Sequence, residues 1–437
     1  MIPWLRMALP FEPYLTDYKT TFDAWEDGGV QGLMIGRMFF SQENGGEINA
    51  YPLDSKVYES FGLGKLPELP RDPEKEKLLH AMLDDAAARG WQIMIFDTFS
   101  APRDLWDYST ADDPYGAVGM AACIQDIMAA FPQVHGVICD GPGEHQHELF
   151  SPGRGELFAV QPHWQKRFAN LGIDTNRIER GMEHLRHRFH NLTPDLVRYH
   201  ASGGLLAGLL LFDIDEDTLY WLRTRQEVSL GWMAALRAQI NQLDRKVELG
   251  GIPRTATFSS ITAQNYQQMG NYFDYIFPKH YYWHRGFDGL YGTIRRWVLT
   301  LLEWNPGLKE EDGFAVVKSL LGIELPNVHS LEDMELGFPE EFFEEVVYSE
   351  TRRALDAVGD ADKVVCWVST GRKPHRGDPM TARDLHGILR ASERAGLKRF
   401  VYHSTSTMGA AEWRLIARMC GRPWNEDPDG YWPTETQ

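Results

Sequence analysis

The chain has 437 residues, room for one large domain or for two or three ordinary ones. Hydrophobic residues make up 43% and charged residues 24%, the balance of a folded globular protein and not of a disordered one. Lys and Arg number 44 against 62 Asp and Glu, a formal charge of −18 that repels phosphate backbones and anionic lipid, so neither nucleic acid nor a membrane surface is expected as a partner.

The most apolar stretch, residues 205–212, is too short to cross a bilayer. The opening MIPWLRMALPFEPYL reads as a first strand and not as a leader, which gives a cytoplasmic expectation unless a signal peptide has been removed. The four cysteines, Cys123, Cys139, Cys366 and Cys420, have neither CxxC nor zinc-finger spacing and read as buried thiols of a reducing compartment.

Apolar runs alternate with helical patterns along the whole chain. The first run is residues 4–11, followed by a helix at about 17–26, and the second run is residues 30–40. After a Gly- and Pro-rich loop, PEKEKLLHAMLDDAAARG reads as a helix with Pro73 in its first turn and Gly90 at its stop. The third run, residues 91–100, precedes a helix at about 116–131, and the fourth run is residues 134–145. A long His- and Gly-rich excursion, about 146–215, contains a helix near 174–190. A strong helix then leads into the fifth run, residues 247–254. A short helix at 262–270, the sixth run at 275–284 and a helix at 290–304 come next, before an acidic, irregular stretch to 339. The helix EEFFEEVVYSETRRALDAVG feeds the seventh run, residues 363–370; another helix precedes the eighth run, residues 399–407, and a last helix spans 410–420.

The runs are continuously apolar, as expected of parallel strands covered on both faces. Eight such units in alternation predict a single α/β domain over residues 1–437, a (β/α)8 TIM barrel with long insertions after strand 4 (about 146–215) and after strand 6 (about 305–339). A doubly wound open sheet is the rival. A barrel builds its site from strand C-termini and the loops that follow them. The candidates are then Arg37, Asp97, Asp140, Glu144, His145, Lys279, His280, Tyr281, Trp283, His284 and His403.

Two segments stand out. CDGPGEHQHE at the end of run four sets carboxylates beside glycines that allow unusual backbone angles and close approach of a ligand; a turn capped by Asp140 is the plainer reading. KHYYWH at the end of run six crowds polar and aromatic groups together, of which alternate members face opposite sides. Trp106, Trp283 and Trp367 are candidate platforms for sugar C–H groups. His145, His147, Glu148 and His280 are residue types that ligate metals, but no metal is expected from their spacing, and no other cofactor motif is present.

The segment ICDGPGEH and the barrel layout resemble the large clan of barrel glycoside hydrolases whose acid/base Glu ends strand four. The aromatic-rich strand-six end resembles bacterial barrel proteins grouped with the glycosidases. The resemblance implies a carbohydrate substrate and Glu144 as proton donor. The clan's second Glu ends strand seven, where this chain reads CWVSTGRK, so the second carboxylate falls to Asp140 or Asp97 as base or nucleophile. The remaining candidates would bind substrate, with His280, Tyr281 and Arg37 holding hydroxyls or a substrate carboxylate. Two other functions compete: a metal-dependent barrel hydrolase or sugar isomerase using the His/Asp/Glu cluster, and a non-catalytic carbohydrate-binding barrel.

Overall fold

The computed structural model describes residues 1–7, 12–42, 46–65, 70–96, 114–150, 156–160, 162–283, 285–286, 288–371 and 377–424. Nine short strands form one parallel sheet: β1 (Ile2–Met7), β2 (Gly32–Gly36), β5 (Gln92–Phe96), β6 (Gly136–Asp140), β7 (Glu248–Ile252), β8 (Tyr275–Ile276), β9 (Lys279–His280), β10 (Val365–Val368) and β11 (Arg399–His403). The spatial order is β8-β7-β6-β5-β2-β1-β11-β10-β9. Its two ends, β8 and β9, belong to the same run of chain: Gly251 pairs with Ile276 on one side, and Trp367 pairs with Lys279 on the other. Ile276 also bridges Val364.

Nine strands stand where eight runs were expected because the sixth run is interrupted at Phe277-Pro278. Proline has no N–H to donate to a ladder. The Pro278 carbonyl still accepts from Trp367 N at 2.8 Å. The second run also ends early. It stops at Gly36, and an antiparallel pair, β3 (Phe39–Ser41) with β4 (Glu47–Asn49), follows in place of a loop. The stretch after residue 305 is less irregular than its composition suggests, since Glu310–Leu321 is a helix. Pro73 and Gly90 sit where expected: Asp72 caps the helix Pro73–Ala88 through Lys75 N at 3.1 Å, and Gly90 has φ +75°.

Residues in register across a parallel pair share a face, and the face alternates along each strand. Trp4 pairs with Gly32, Arg6 with Met34 and His403, and Asp140 with Ile252. The Trp4 ring lies where a Gly32 side chain would stand, and a Cβ on Gly250 would strike Phe277 and Ile138. One face therefore carries Trp4, Ile138, Phe277 and Trp367 packed together, with Arg6, Asp140, Lys279 and His403 at its C-terminal rim. The opposite face meets the helices. Cys123, Cys139 and Cys366 are buried and form no disulfide. No helix among the described residues is long and apolar enough to cross a membrane.

A separate buried contact gives a stability prediction. Asp126, on the helix Pro114–Ala130, accepts from Tyr58 Oη at 3.0 Å and from Asp54 N at 3.1 Å. Burial pushes its carboxyl up to about 7, against the pull of those two donors. A raised carboxyl pKa favours the folded state while the proton is bound. The contribution is whole below the ordinary value of 3.8 and is lost as pH rises through about 7, at most about 4 kcal/mol. Thermal denaturation of Asp126→Asn, which mimics the protonated group, is expected to show a smaller fall in stability between pH 4 and 8 than the wild type does. Parallel pH profiles would show that Asp126 stays ionised in the fold.

Candidate active site

The rim holds a chain of alternating charges drawn from three distant parts of the sequence. Glu144 Oε1 accepts from Arg254 Nε at 2.7 Å. Arg254 Nη1 also contacts Asp288, whose other oxygen lies 3.4 Å from Lys279 Nζ. Lys279 Nζ then reaches Asp140 Oδ1 at 3.2 Å. Arg254, Glu144, Asp288 and Lys279 have side chains 7–13% exposed, whereas Asp140 is 35% exposed. Asp140 is thus the open end of an otherwise enclosed network.

The electrostatics follow from that geometry. Burial works against the charge on Lys279, but Asp140 and Asp288 outweigh it and hold the ammonium above its usual range. Burial likewise opposes the Arg254 charge and is overcome by Asp288 and Glu144. Tyr281 is buried, and desolvation with Asp288 and Asp140 nearby pushes its hydroxyl well up, so it stays a neutral hydrogen-bonding group.

Local sequence explains the loop that presents Glu144. Gly141 and Gly143 take φ +59° and +62°, which L side chains rarely adopt. A Cβ on Gly143 would also strike Ser229, whose Oγ donates to the Gly143 carbonyl at 2.6 Å. Further along, Glu148 accepts from Arg296 Nε at 3.1 Å, and Trp297 Nε1 donates to the His147 carbonyl at 3.0 Å. Both tie the loop to the helix Leu290–Trp304.

Asp140, Glu144, Lys279 and Tyr281 therefore belong to one cluster at the rim, with His403 close by, its ring centroid 6.4 Å from that of Tyr281. Four candidates go elsewhere. His280 takes the opposite phase from Lys279, so it faces the helical side; its Nε2 lies 3.5 Å from Cys366 Sγ, and burial lowers its ring to about 3. Arg37 is out of phase with Gly36 and turns to Glu47 at 3.9 Å on β4. His145 stacks on Trp164 at 3.7 Å, away from the rim carboxylates. Trp283 faces inward but is wholly buried: Gly289 and Gly377 press on its ring, and Tyr281 stacks on it at 4.5 Å. It cannot serve as an open platform, and Trp367 is covered too, at 2% exposure. Asp97, Trp106 and His284 lie outside the described residues.

The residue types able to ligate a metal disperse in the same way, with Glu144 on Arg254, Glu148 on Arg296 and His280 on the far face. Among the described residues no three His, Cys, Asp or Glu side chains are grouped so as to hold a metal ion.

Similar solved structures are glycoside hydrolases. The PgaB (BpsB) glycoside hydrolase domain from Bordetella bronchiseptica is 10% identical at a TM-score of 0.47, covering 95% of this chain and 98% of that one. A GH18 chitinase from Pseudoalteromonas aurantia is 8% identical at 0.44, covering 95% and 98%. GH5_18 from Streptomyces cattleya, in complex with GlcNAc, is 10% identical at 0.44, covering 98% and 81%. No family model and no curated protein matches the chain.

Two rim residues, Asp288 and Arg6, give no sign of their role in the sequence, and a third, Arg254, gives only its place. Asp288 sits in the loop after the sixth run with φ +70° and looks like an ordinary loop acid. Arg254 ends the fifth run, and nothing near it in the sequence names its acidic partners. Arg6 lies inside the first run, where a lone Arg among apolar residues reads as a solvated exception. The inward phase of β1 was the available signal, since Trp4 and Arg6 are two apart.

Proposed function

We propose that the chain is a (β/α)8 barrel glycoside hydrolase that cleaves glycosidic bonds in an oligo- or polysaccharide, with Asp140 as the reacting carboxylate. The closure supporting this reading is the segment 275–280, which pairs with β7 at one end and β10 at the other. The observation that carries the function is Asp140 itself: a carboxylate at the C-terminal end of an inward strand, open to solvent, and backed at 3.2 Å by a buried ammonium. A carboxylate so placed can attack an anomeric carbon or take a proton from water.

Glu144 is the proposed proton donor to the leaving oxygen. Its Oε1 now accepts from Arg254, so donation requires a state in which Arg254 rests on Asp288 alone.

The test is hydrolysis of a panel of aryl glycosides and polysaccharides by the wild type and by Asp140→Asn. Turnover that the substitution reduces by at least about a hundredfold supports the reading. Turnover left within about tenfold overturns the site, and sugar binding without any turnover would instead point to a carbohydrate-binding barrel.

A further inference from the structure

We infer that Arg6 is a docking point for a carboxylate on the sugar ring, so that the substrate is an acidic sugar of the uronate class; this rests on the proposed glycosidase site and deepens it. Three cations stand at the rim. Arg254 contacts two carboxylates and Lys279 contacts two, but among the described residues Arg6 has no carboxylate within ion-pair distance. Its Nε is buried without a hydrogen-bond partner.

The guanidinium is also held flat and in place. Its central carbon lies 4.4 Å from the centroid of the Phe96 ring and 5.7 Å from that of Trp367. Nη1 contacts His403 Nδ1 at 2.8 Å. Nη2 lies against Gly36, where a Cβ would come within 3.1 Å, so the glycine makes room for the guanidinium. A rigid, planar donor fork with an unused edge matches a carboxylate in bidentate geometry. Burial lowers the guanidinium to about 10, with Tyr281 and Asp140 pulling it back up, so it remains charged at neutral pH.

Asp140 lies near enough to act on Arg6 through space, yet is itself committed to Lys279. An anion bound at Arg6 would therefore place its ring beside the reacting carboxylate. Leaving a desolvated cation without a counter-charge is costly, and a substrate carboxylate removes that cost only when it is bound.

The experiment measures binding directly, so that it does not depend on turnover. Hexuronates, the matching neutral hexoses and hexose 6-phosphates are titrated calorimetrically into the wild type, Asp140→Asn, Arg6→Met and Arg6→Lys. A uronate preference over the neutral sugar of about tenfold or more is expected in the wild type and in Asp140→Asn, the worth of a charge-assisted bidentate pair. Arg6→Met is expected to abolish that preference, and Arg6→Lys, which keeps the charge but loses the fork, to reduce it. Equal binding of uronate and neutral sugar by the wild type overturns the inference, as does a preference for the phosphate over the uronate. A preference that survives Arg6→Met also overturns it. Binding of neutral sugars with hydrolysis of neutral glycosides would sink this inference while leaving the proposed glycosidase standing; no hydrolysis of any glycoside, with uronate still bound through Arg6, would do the reverse.

Discussion

Replacing Arg254 by Met is expected to destabilise the protein by about 3–5 kcal/mol, seen as a shift of the denaturant midpoint. Arg254 is the only described cation that contacts Glu144, and it shares Asp288 with Lys279. Both acids are largely enclosed, with side chains 13% and 7% exposed. Removing the guanidinium leaves two desolvated negative charges facing each other across the space it filled. Breaking one partner of a buried pair costs more than the pair is worth, because the survivor keeps its desolvation penalty. Arg254→Met combined with Glu144→Gln and Asp288→Asn is therefore expected to recover much of the loss. A single variant within about 1 kcal/mol of the wild type would mean that the network is far more hydrated than its enclosure implies.

The second large effect concerns bond cleavage, and it separates the two carboxylates by leaving group. Asp140→Asn is expected to lower kcat/KM by about a thousandfold or more on every aryl glycoside, because bond-making at the anomeric carbon depends on it whatever departs. Glu144→Gln is expected to cost a similar factor only with poor leaving groups such as alkyl or unsubstituted phenyl glycosides. With a dinitrophenyl glycoside, whose leaving oxygen needs no proton, the loss should shrink to about tenfold or less. Equal losses across the series would mean that Glu144 serves to hold Arg254 and not to donate. A variant Asp140→Asn that keeps full turnover would remove the proposed chemistry altogether. Both carboxylates act on cleavage of the same bond, so their effects expressed as free energies need not add.

Much of the fold was legible because it rests on local signals. Continuous apolar runs, Pro73 at a helix start and Gly90 at its stop reflect backbone geometry within a few residues of one another. The parallel order of the sheet follows the chain because helical crossovers place consecutive strands side by side. Where the reading went astray, the cause was also local but finer. Pro278 removes one donor and splits a run, and Gly36 ends β2 so that Arg37 swings to the β3–β4 pair.

The site was legible in part. Gly-Pro-Gly between two acids marked the loop, and its two glycines do take positive φ. The cluster KHYYWH was recognised as a mixture of two faces, but which residues point inward depends on phase, and a shift of one residue exchanges the sets. The phase is set by Phe277, which packs against Trp4 and Trp367, strands that the sixth run cannot see in its own sequence. Lys279 and Tyr281 follow Phe277 inward, and His280 does not.

By itself, then, the sequence determined the alternation of strands and helices, the absence of long apolar spans and the presence of Asp140 at a strand end, since each depends on neighbours along the chain. Tertiary structure alone decided that Glu144, Arg254, Asp288, Lys279 and Asp140 form one charge chain, and that Arg6 meets His403 across 397 positions. Coulomb attraction and desolvation act through space, and only the curled sheet brings those charges within a few ångströms of each other.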